Sequence, residues 1–272
     1  MEMFLRKIVF TLLAAMMATS LCAQEKGKVQ NYKLGLVGFY NLENLFDTVN
    51  DPNKNDEEFL PEGKNAWNTE KYTTKLHHMA YAISTIGTCD DEKIKSPDGV
   101  VVLGLSEMEN RKVLEDLVAQ PEIADRNYQI IHYDSPDRRG VDVALIYNPK
   151  YFTVTNTKSY RFVCPGQPDF ISRDQLVVTG MFDDEEMSFI VMHWPSRYGG
   201  EKRSLPGRVA AANICRHITD SILSEKPDAK VIMMGDYNDY PTNKSIIEYL
   251  GAKGKVSDMK EGDYFNPMWK MH

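Results

Sequence analysis

A short apolar run towards the C-terminal part of the chain ends abruptly in polar residues. Residues 231–234 are apolar and include β-branched side chains, which predicts a buried strand. Gly235 breaks the run, and Asp236, Asn238 and Asp239 follow at once. A buried strand that carries carboxylates and amides at its C-terminal end fixes polar groups at the edge of a core, as active sites often require. On this stretch alone a polar turn explains the residues equally well, because Asp, Asn and Gly are common turn formers.

Three other predicted strands end in the same way. The polar residues that follow them are Asn41 and Glu43 after residues 33–40, Glu107 and Glu109 after residues 99–105, and His193 and Ser196 after residues 187–192. Each group alone has an ordinary explanation: capping or turn formation for the first, a favourable charge at a helix N-terminus for the second, and core packing for the lone histidine. A carboxylate at the end of a buried strand is nevertheless costly unless it is paired or binds a cation.

If these strand ends converge, they supply the groups of a metal site. Carboxylates and amides with a single imidazole favour Mg²⁺, Mn²⁺ or Ca²⁺ over zinc. If the strand ends converge, Arg139, Arg197 and Arg208 are the candidate arginines near the site, and an arginine beside such a metal suits a phosphate group. Hydrolysis at phosphorus needs neutralised charge and a water aimed in line, and this set of residues can supply both.

Helical patterns alternate with the predicted strands. The clearest helix covers residues 68–86, with Asn68 or Thr69 as its cap, and a second covers residues 205–223. Residues 99–105 are continuously apolar, which predicts a central strand buried on both faces. Strand-rich halves with intervening helices predict an α/β sandwich.

Several motifs occur in the order found in one known family. They are Asn41 after an apolar strand, the strand-borne Glu107, the segment Arg139-Gly140-Val141-Asp142-Val143-Ala144-Leu145, His193 followed by Pro195-Ser196, and Gly235-Asp236-Tyr237-Asn238. Over residues 33–250 the sequence therefore resembles the endonuclease/exonuclease/phosphatase family, whose members are similar to pancreatic deoxyribonuclease. The resemblance implies a four-layer α/β sandwich with two packed mixed sheets. It also implies Mg²⁺-dependent cleavage of phosphate esters, with Mn²⁺ or Ca²⁺ as alternative ions.

The resemblance also implies roles for individual residues. Glu107 is the implied principal metal ligand, with Asn41 beside it in the catalytic centre. Asp236 and Asn238 are implied to orient the attacking water and the phosphate, and His193 to contact or protonate a phosphate oxygen. The implied contacts to the substrate phosphate are Arg139, Arg197 and Arg208. The expected substrate is a phosphodiester, with DNA and RNA as candidates, and a non-nucleic phosphoester is the alternative for a phosphatase.

One part of the family pattern has no match in the sequence. The family closes with an Asp on a late strand and then an Asp-His pair, whereas nothing after Asn238 matches, and His272 has no preceding Asp. We therefore expect a C-terminally truncated sandwich that lacks its closing strands. A non-catalytic module that binds phosphate is the competing hypothesis on this ground.

The N-terminus has the features of a secretory signal peptide. Arg6-Lys7 precedes the apolar residues 8–17, and residues 18–23 are small and mixed. The apolar stretch is too short to span a membrane. We expect cleavage after Ala23, a secreted or periplasmic protein, and an incomplete family domain in residues 24–272.

Charge and cysteine content limit the function further. The net charge of −7 gives no broad electrostatic attraction to nucleic acid and disfavours a tight, non-specific DNA binder. Cys89, Cys164 and Cys215 are not spaced for zinc.

We expect a monomer without a membrane span.

Overall fold

Two four-stranded mixed sheets form the centre of the fold. The computed structural model describes residues 34–90 and 95–271. The predicted signal peptide, residues 1–23, and His272 lie outside the described residues.

The described elements agree with most of the predicted ones. In chain order the strands are β1 (Leu36–Leu45), β2 (Cys89–Asp90), β3 (Lys95–Ser96), β4 (Val100–Met108), β5 (Gln129–His132), β6 (Asp142–Tyr147), β7 (Phe152–Tyr160), β8 (Gln175–Phe182), β9 (Glu185–His193), β10 (Lys230–Asp236), β11 (Ala252–Lys253) and β12 (Tyr264–Phe265). The α-helices are α1 (Thr69–Thr85), α2 (Arg111–Val118) and α3 (Glu201–Glu225), and a π-helix covers Ser245–Leu250. Short 3₁₀ segments are Glu57–Phe59, Ala124–Arg126, Val256–Asp258 and Pro267–Met271.

The two sheets share one arrangement. Their strand orders are β1-β4-β6-β5 and β10-β9-β8-β7. In each, the edge strand is parallel to its neighbour, β1 to β4 and β10 to β9, and the remaining pairs are antiparallel. Parallel neighbours end at the same edge of a sheet, so each sheet delivers two polar strand ends to one place. Strands β11 and β12 pair separately in a short parallel ladder.

Three apolar cores separate four layers. One core lies between the first sheet and helices α1 and α2, and it includes Leu76, Leu103 and Leu114. A second lies between the second sheet and α3, and a third lies between the two sheets. The predicted four-layer α/β sandwich with two packed mixed sheets is therefore confirmed.

Strand β4 shows why its sequence is continuously apolar. Leu103 and Leu105 belong to the core under the helices, whereas Val102 belongs to the core between the sheets. Both faces of the strand are thus buried, as predicted. A Cβ atom at Gly104 would lie 2.7 Å from Sδ of Met234 in β10, so glycine allows the sheets to approach closely here.

Helix boundaries follow local hydrogen bonds. The side chain of Asn68 accepts a 3.0 Å bond from the backbone N–H of Lys71, which confirms the predicted cap of α1. Helix α3 begins at Glu201, earlier than the predicted start at residue 205, and contains Pro206. The guanidinium of Arg208 donates to the carbonyl oxygen of Glu201, which stabilises this extra turn.

Gly235 lies inside β10 opposite Met192 of β9. A Cβ atom at this position would lie 2.1 Å from the carbonyl oxygen of Met192, a contact with backbone that only a shift of the strand pair relieves. We predict that Gly235→Ala lowers the free energy of unfolding by about 2–3 kcal/mol. Urea unfolding followed by circular dichroism measures this loss.

The matched control is Gly38→Ala in β1. A Cβ atom there would meet side-chain atoms of Val100 and Leu103 at 3.3 and 3.4 Å, which small side-chain movements accommodate. Equal losses in the two variants would contradict the backbone clash at Gly235.

Candidate active site

The polar ends of β1, β4, β9 and β10 converge at one edge of the sandwich. The Asn41 amide Nδ2 donates to Oδ2 of Asp236 at 3.3 Å, which joins the two sheets. Nε2 of His193 lies 3.7 Å from Oε1 of Glu107, also across the sheets. Asn238 follows Asp236 and donates its own backbone N–H to Oδ1 of Asp236 at 2.9 Å. The structure thus brings together all five of the polar residues predicted for the catalytic centre.

Glu107, His193 and Asp236 form the centre of this cluster. Their ligand atoms all lie within 4.8 Å of one another, and Nε2 of His193 is 3.9 Å from Oδ2 of Asp236. These separations exceed hydrogen-bond length, but they suit ligands arranged around a divalent cation with bonds of about 2.0–2.6 Å. His193 is only 4% exposed, and its Nδ1 atom is buried with no hydrogen-bond partner among the described residues. The two carboxylates, with the Asn41 amide beside them, fit a hard cation such as Mg²⁺.

Strained backbone accompanies the strand ends. Glu43, Asn44, Glu107 and Asn238 have φ angles of 51°, 60°, 60° and 50°, in the left-handed region that non-glycine residues rarely adopt. Such residues persist where the surrounding structure holds them, and they concentrate at functional sites. At the end of β1, Lys75 of helix α1 donates to the carbonyl oxygens of Glu43 and Asn44.

The turn after β10 is held by hydrogen bonds to the end of β9. The backbone N–H of Trp194 donates to the carbonyl oxygen of Asp236, and Nδ2 of Asn238 donates to the carbonyl oxygen of Trp194, both at 2.9 Å. The predicted turn is therefore present, and it lies beside the cluster of polar strand ends. The bonds of the turn fix the orientation of Asp236 and Asn238 beside His193.

Asp239 is a buried anchor for two of the predicted arginines. Its side chain is fully buried, lies 2.8 Å from Nε of Arg208 and 3.2 Å from Nη2 of Arg197, and accepts hydrogen bonds from Asn243 and Ser245. Arg208 is itself fully buried, which leaves it no access to a substrate phosphate. This corrects the role predicted for Arg208, which supports the turn rather than the substrate.

The other two predicted arginines remain accessible. The side chain of Arg197 is 31% exposed, donates to the carbonyl oxygen of Asn238 at 2.9 Å and stacks on Tyr240. The side chain of Arg139 is 50% exposed, and its Nε lies 3.9 Å from Oδ1 of Asp137. Arg139 therefore has the freer guanidinium for a phosphate.

A sequence profile described as Endonuclease/Exonuclease/phosphatase family matches residues 36–272. The chain belongs to this family. No curated protein sequence matches this chain.

Several solved structures are similar to this chain at low sequence identity. The mannosyl-6-phosphatase of Bacteroides thetaiotaomicron is 17% identical, with a TM-score of 0.52, over 79% of this chain and 69% of that chain. TDP2 from C. elegans is 18% identical, with a TM-score of 0.45, over 65% of this chain and 46% of that chain. The human Nocturnin catalytic domain is 17% identical, with a TM-score of 0.45, over 62% of this chain and 64% of that chain. The match thus spans less than half of the TDP2 chain.

Arg173 is a buried residue beside the site that the sequence did not predict. Its guanidinium donates to the carbonyl oxygens of His193 at 3.2 Å and Trp194 at 2.7 Å, and to Oδ2 of Asp137 at 3.1 Å. In the sequence it stands between Ser172 and Asp174, before β8, where a charged residue has no feature that distinguishes it from a surface residue. Its burial depends on contacts with residues distant in the sequence.

The electrostatic surroundings keep His193 neutral. Burial, together with the charges of Arg173 and Arg139, lowers the pKa of His193 to about 2. At neutral pH the ring therefore offers one N–H and one lone pair instead of a positive charge.

Among the described residues, none of the helices has the length and apolar character needed to cross a bilayer.

Glu109 provides a test of the electrostatics beside the site. The pKa of its carboxyl group is raised to about 7, mainly by burial. The hydrogen bond from the backbone N–H of Asp47 opposes the rise, and the charges of Asp47, Asp56 and Asp51 contribute to it. The folded state then holds this proton more tightly than the unfolded chain, so stability falls as pH rises from about 4.5 to 7. We predict that Glu109→Gln removes this fall, which amounts to about 1–2 kcal/mol after solvent screening.

Urea unfolding in EDTA at pH 5, 6, 7 and 8 measures the difference between the wild type and Glu109→Gln. The control is Glu58→Gln, because the side chain of Glu58 is 59% exposed. Parallel pH profiles for the wild type and Glu109→Gln would contradict the assignment.

Proposed function

We propose that this protein is a phosphodiesterase and that its activity requires a divalent cation, Mg²⁺. The observation that carries the proposal is the group formed by Glu107, His193 and Asp236, whose ligand atoms lie within 4.8 Å of one another where the two sheets meet. Asn41 and Asn238 both bond to Asp236 in the same network. Family membership supports hydrolysis of phosphate esters as the reaction class.

Glu107 would hold the metal, with Asn41 and Asp236 as further oxygen donors. When bound, the cation neutralises phosphate charge and lowers the pKa of a water. Asp236 is fixed by bonds from the Asn41 amide and from the Asn238 backbone, so one face of its carboxylate has a defined direction for orienting a water. The neutral His193 ring supplies one hydrogen bond to a phosphate oxygen. The half-exposed Arg139 guanidinium pairs with the phosphate charge.

A phosphatase acting on a small, non-nucleic phosphoester is the second candidate. The net charge of −7 favours it, because tight non-specific binding to nucleic acid requires many basic contacts. One protein of similar fold is described as a mannosyl-6-phosphatase. Rates on bis(p-nitrophenyl) phosphate, p-nitrophenyl phosphate, mannose 6-phosphate and single-stranded DNA distinguish the two candidates.

Secretion or export to the periplasm is part of the proposal. It rests on the basic start at Arg6-Lys7, the apolar residues 8–17 and the small residues before Ala23. N-terminal sequencing of the protein exported by its host tests for cleavage after Ala23.

The metal-ligand assignment predicts the effect of Glu107→Gln. The amide keeps the size of the side chain but removes the charge that binds the cation, so we expect kcat to fall by at least about 100-fold. EDTA should abolish wild-type activity, and Mg²⁺ should restore it. Steady-state kinetics on a chromogenic phosphodiester measure both effects.

The matched control is Glu115→Gln on the exposed face of α2, where Glu115 pairs with Arg111. Wild-type turnover by Glu107→Gln would overturn the ligand assignment. Binding of phosphate without any turnover by the wild type, with Mg²⁺, Mn²⁺ or Ca²⁺, would instead favour a non-catalytic module.

The accessible guanidinium of Arg139 predicts a defect in substrate binding. We expect Arg139→Ala to raise KM by about 10-fold or more, because a charge-assisted contact to phosphate is lost. The neighbouring exposed Arg138 provides the matched variant Arg138→Ala, for which we expect a change of less than about 2-fold. Equal effects of the two substitutions would show a general charge effect rather than a specific contact.

A further inference from the structure

A buried ion pair between Arg173 and Asp137 lies next to the main chain that carries His193. The side chains of Arg173 and Asp137 are each 8% exposed, and Nη1 of Arg173 lies 3.1 Å from Oδ2 of Asp137. Burial of a charged pair is costly, and it is tolerated when further hydrogen bonds satisfy both groups. Arg173 satisfies this condition through the carbonyl oxygens of His193 and Trp194.

We propose that Arg173 is a positioning residue that couples the turn carrying Arg139 to the main chain carrying His193. This inference rests on the proposed phosphoesterase function. Arg173 does not contact the substrate in this role. It sets the distance between a phosphate-binding guanidinium and the catalytic imidazole.

The Asp137 side of the connection holds the Arg139 turn. Oδ1 of Asp137 accepts the backbone N–H of Arg139 at 3.1 Å, and its carbonyl oxygen accepts the N–H of Gly140, also at 3.1 Å. Oδ2 is the atom that accepts from Arg173. One carboxylate therefore joins the turn to the buried guanidinium.

The other side of the connection holds the end of β9. The carbonyl oxygen of Trp194 accepts from both Arg173 and Asn238, and the N–H of Trp194 donates to the carbonyl oxygen of Asp236. A movement of Arg173 would therefore displace His193 together with the turn that carries Asp236 and Asn238.

The geometry explains why arginine stands at position 173. Its Nε, Nη1 and Nη2 atoms each serve a different acceptor, on His193, Asp137 and Trp194. The planar guanidinium presents donors in fixed directions, whereas a lysine ammonium on a flexible stem cannot reproduce all three bonds at once. Arg173→Lys thus keeps the charge and removes the defined geometry.

The experiment compares Arg173→Lys with Arg126→Lys in the complete chain. Arg126 is a matched control, because it is also 8% exposed and donates to the carbonyl oxygens of Ile83 and Ser84. It lies near Gly99, at the start of β4, whereas Glu107 lies towards the other end of that strand. We expect kcat/KM on a chromogenic phosphodiester to fall about 10- to 100-fold in Arg173→Lys and less than about 3-fold in folded Arg126→Lys.

A double-mutant cycle separates positioning from a general loss of stability. If Arg173 acts through the Arg139 turn, Arg173→Lys should cost at least about 3-fold less in kcat/KM when Arg139 is already alanine. Asp137→Asn should reproduce the defect, and it replaces Arg173→Lys if that variant does not fold. Additive effects of Arg173→Lys and Arg139→Ala, or equal losses in the Arg173 and Arg126 variants, would overturn the inference.

A readout that needs no turnover keeps this result distinct from the proposed function. In ¹H–¹³C spectra of the histidine rings, Arg173→Lys should shift the His193 signal, assigned with His193→Asn, and Arg126→Lys should leave it unchanged. An inactive wild type with this selective shift would overturn the proposed function and support the coupling. An active wild type without the shift would overturn the coupling alone.

Discussion

The close packing of the two sheets determines where the strand-borne groups of the site lie. Gly104 lets Met234 approach β4, and this contact brings the ends of the two parallel strand pairs together. The Asn41–Asp236 hydrogen bond then crosses between the sheets. Because Asn41, Glu107, His193 and Asp236 stand on strands whose sides are buried in three cores, their spacing depends on the packing of the sheets.

The sequence was sufficient to predict the four strands and the polar groups at their ends. An apolar run indicates a buried strand from the local sequence alone. Asn68 likewise indicates the start of a helix, because its bond goes to a residue only three positions away. The pairing of Asn41 with Asp236, which are 195 positions apart, depends on sheet order, and local patterns do not encode sheet order. The predicted order of family motifs supplied this long-range information instead.

The exposure of the arginines could not be predicted from the sequence. The residues around Arg139, Arg173 and Arg208 in the sequence do not predict their exposure: the first is half exposed and the other two are buried. Arg173 and Arg208 are buried against the carboxylates of Asp137 and Asp239, which are distant from them in the sequence and reach them only in the folded chain. The Arg139 and Arg173 charges also act on His193, since both lower the pKa of its imidazole.

The left-handed backbone at the strand ends restricts which sequences this site accepts. Glu43, Asn44, Glu107 and Asn238 occupy conformations that exclude β-branched residues and favour Gly, Asn and Asp. Directed evolution of substrate preference will therefore find few viable replacements at these positions. The 93% exposed Tyr198 follows Arg197, which donates to the carbonyl oxygen of Asn238, and carries no such restriction, so new specificities should arise in this loop while the strand ends stay unchanged.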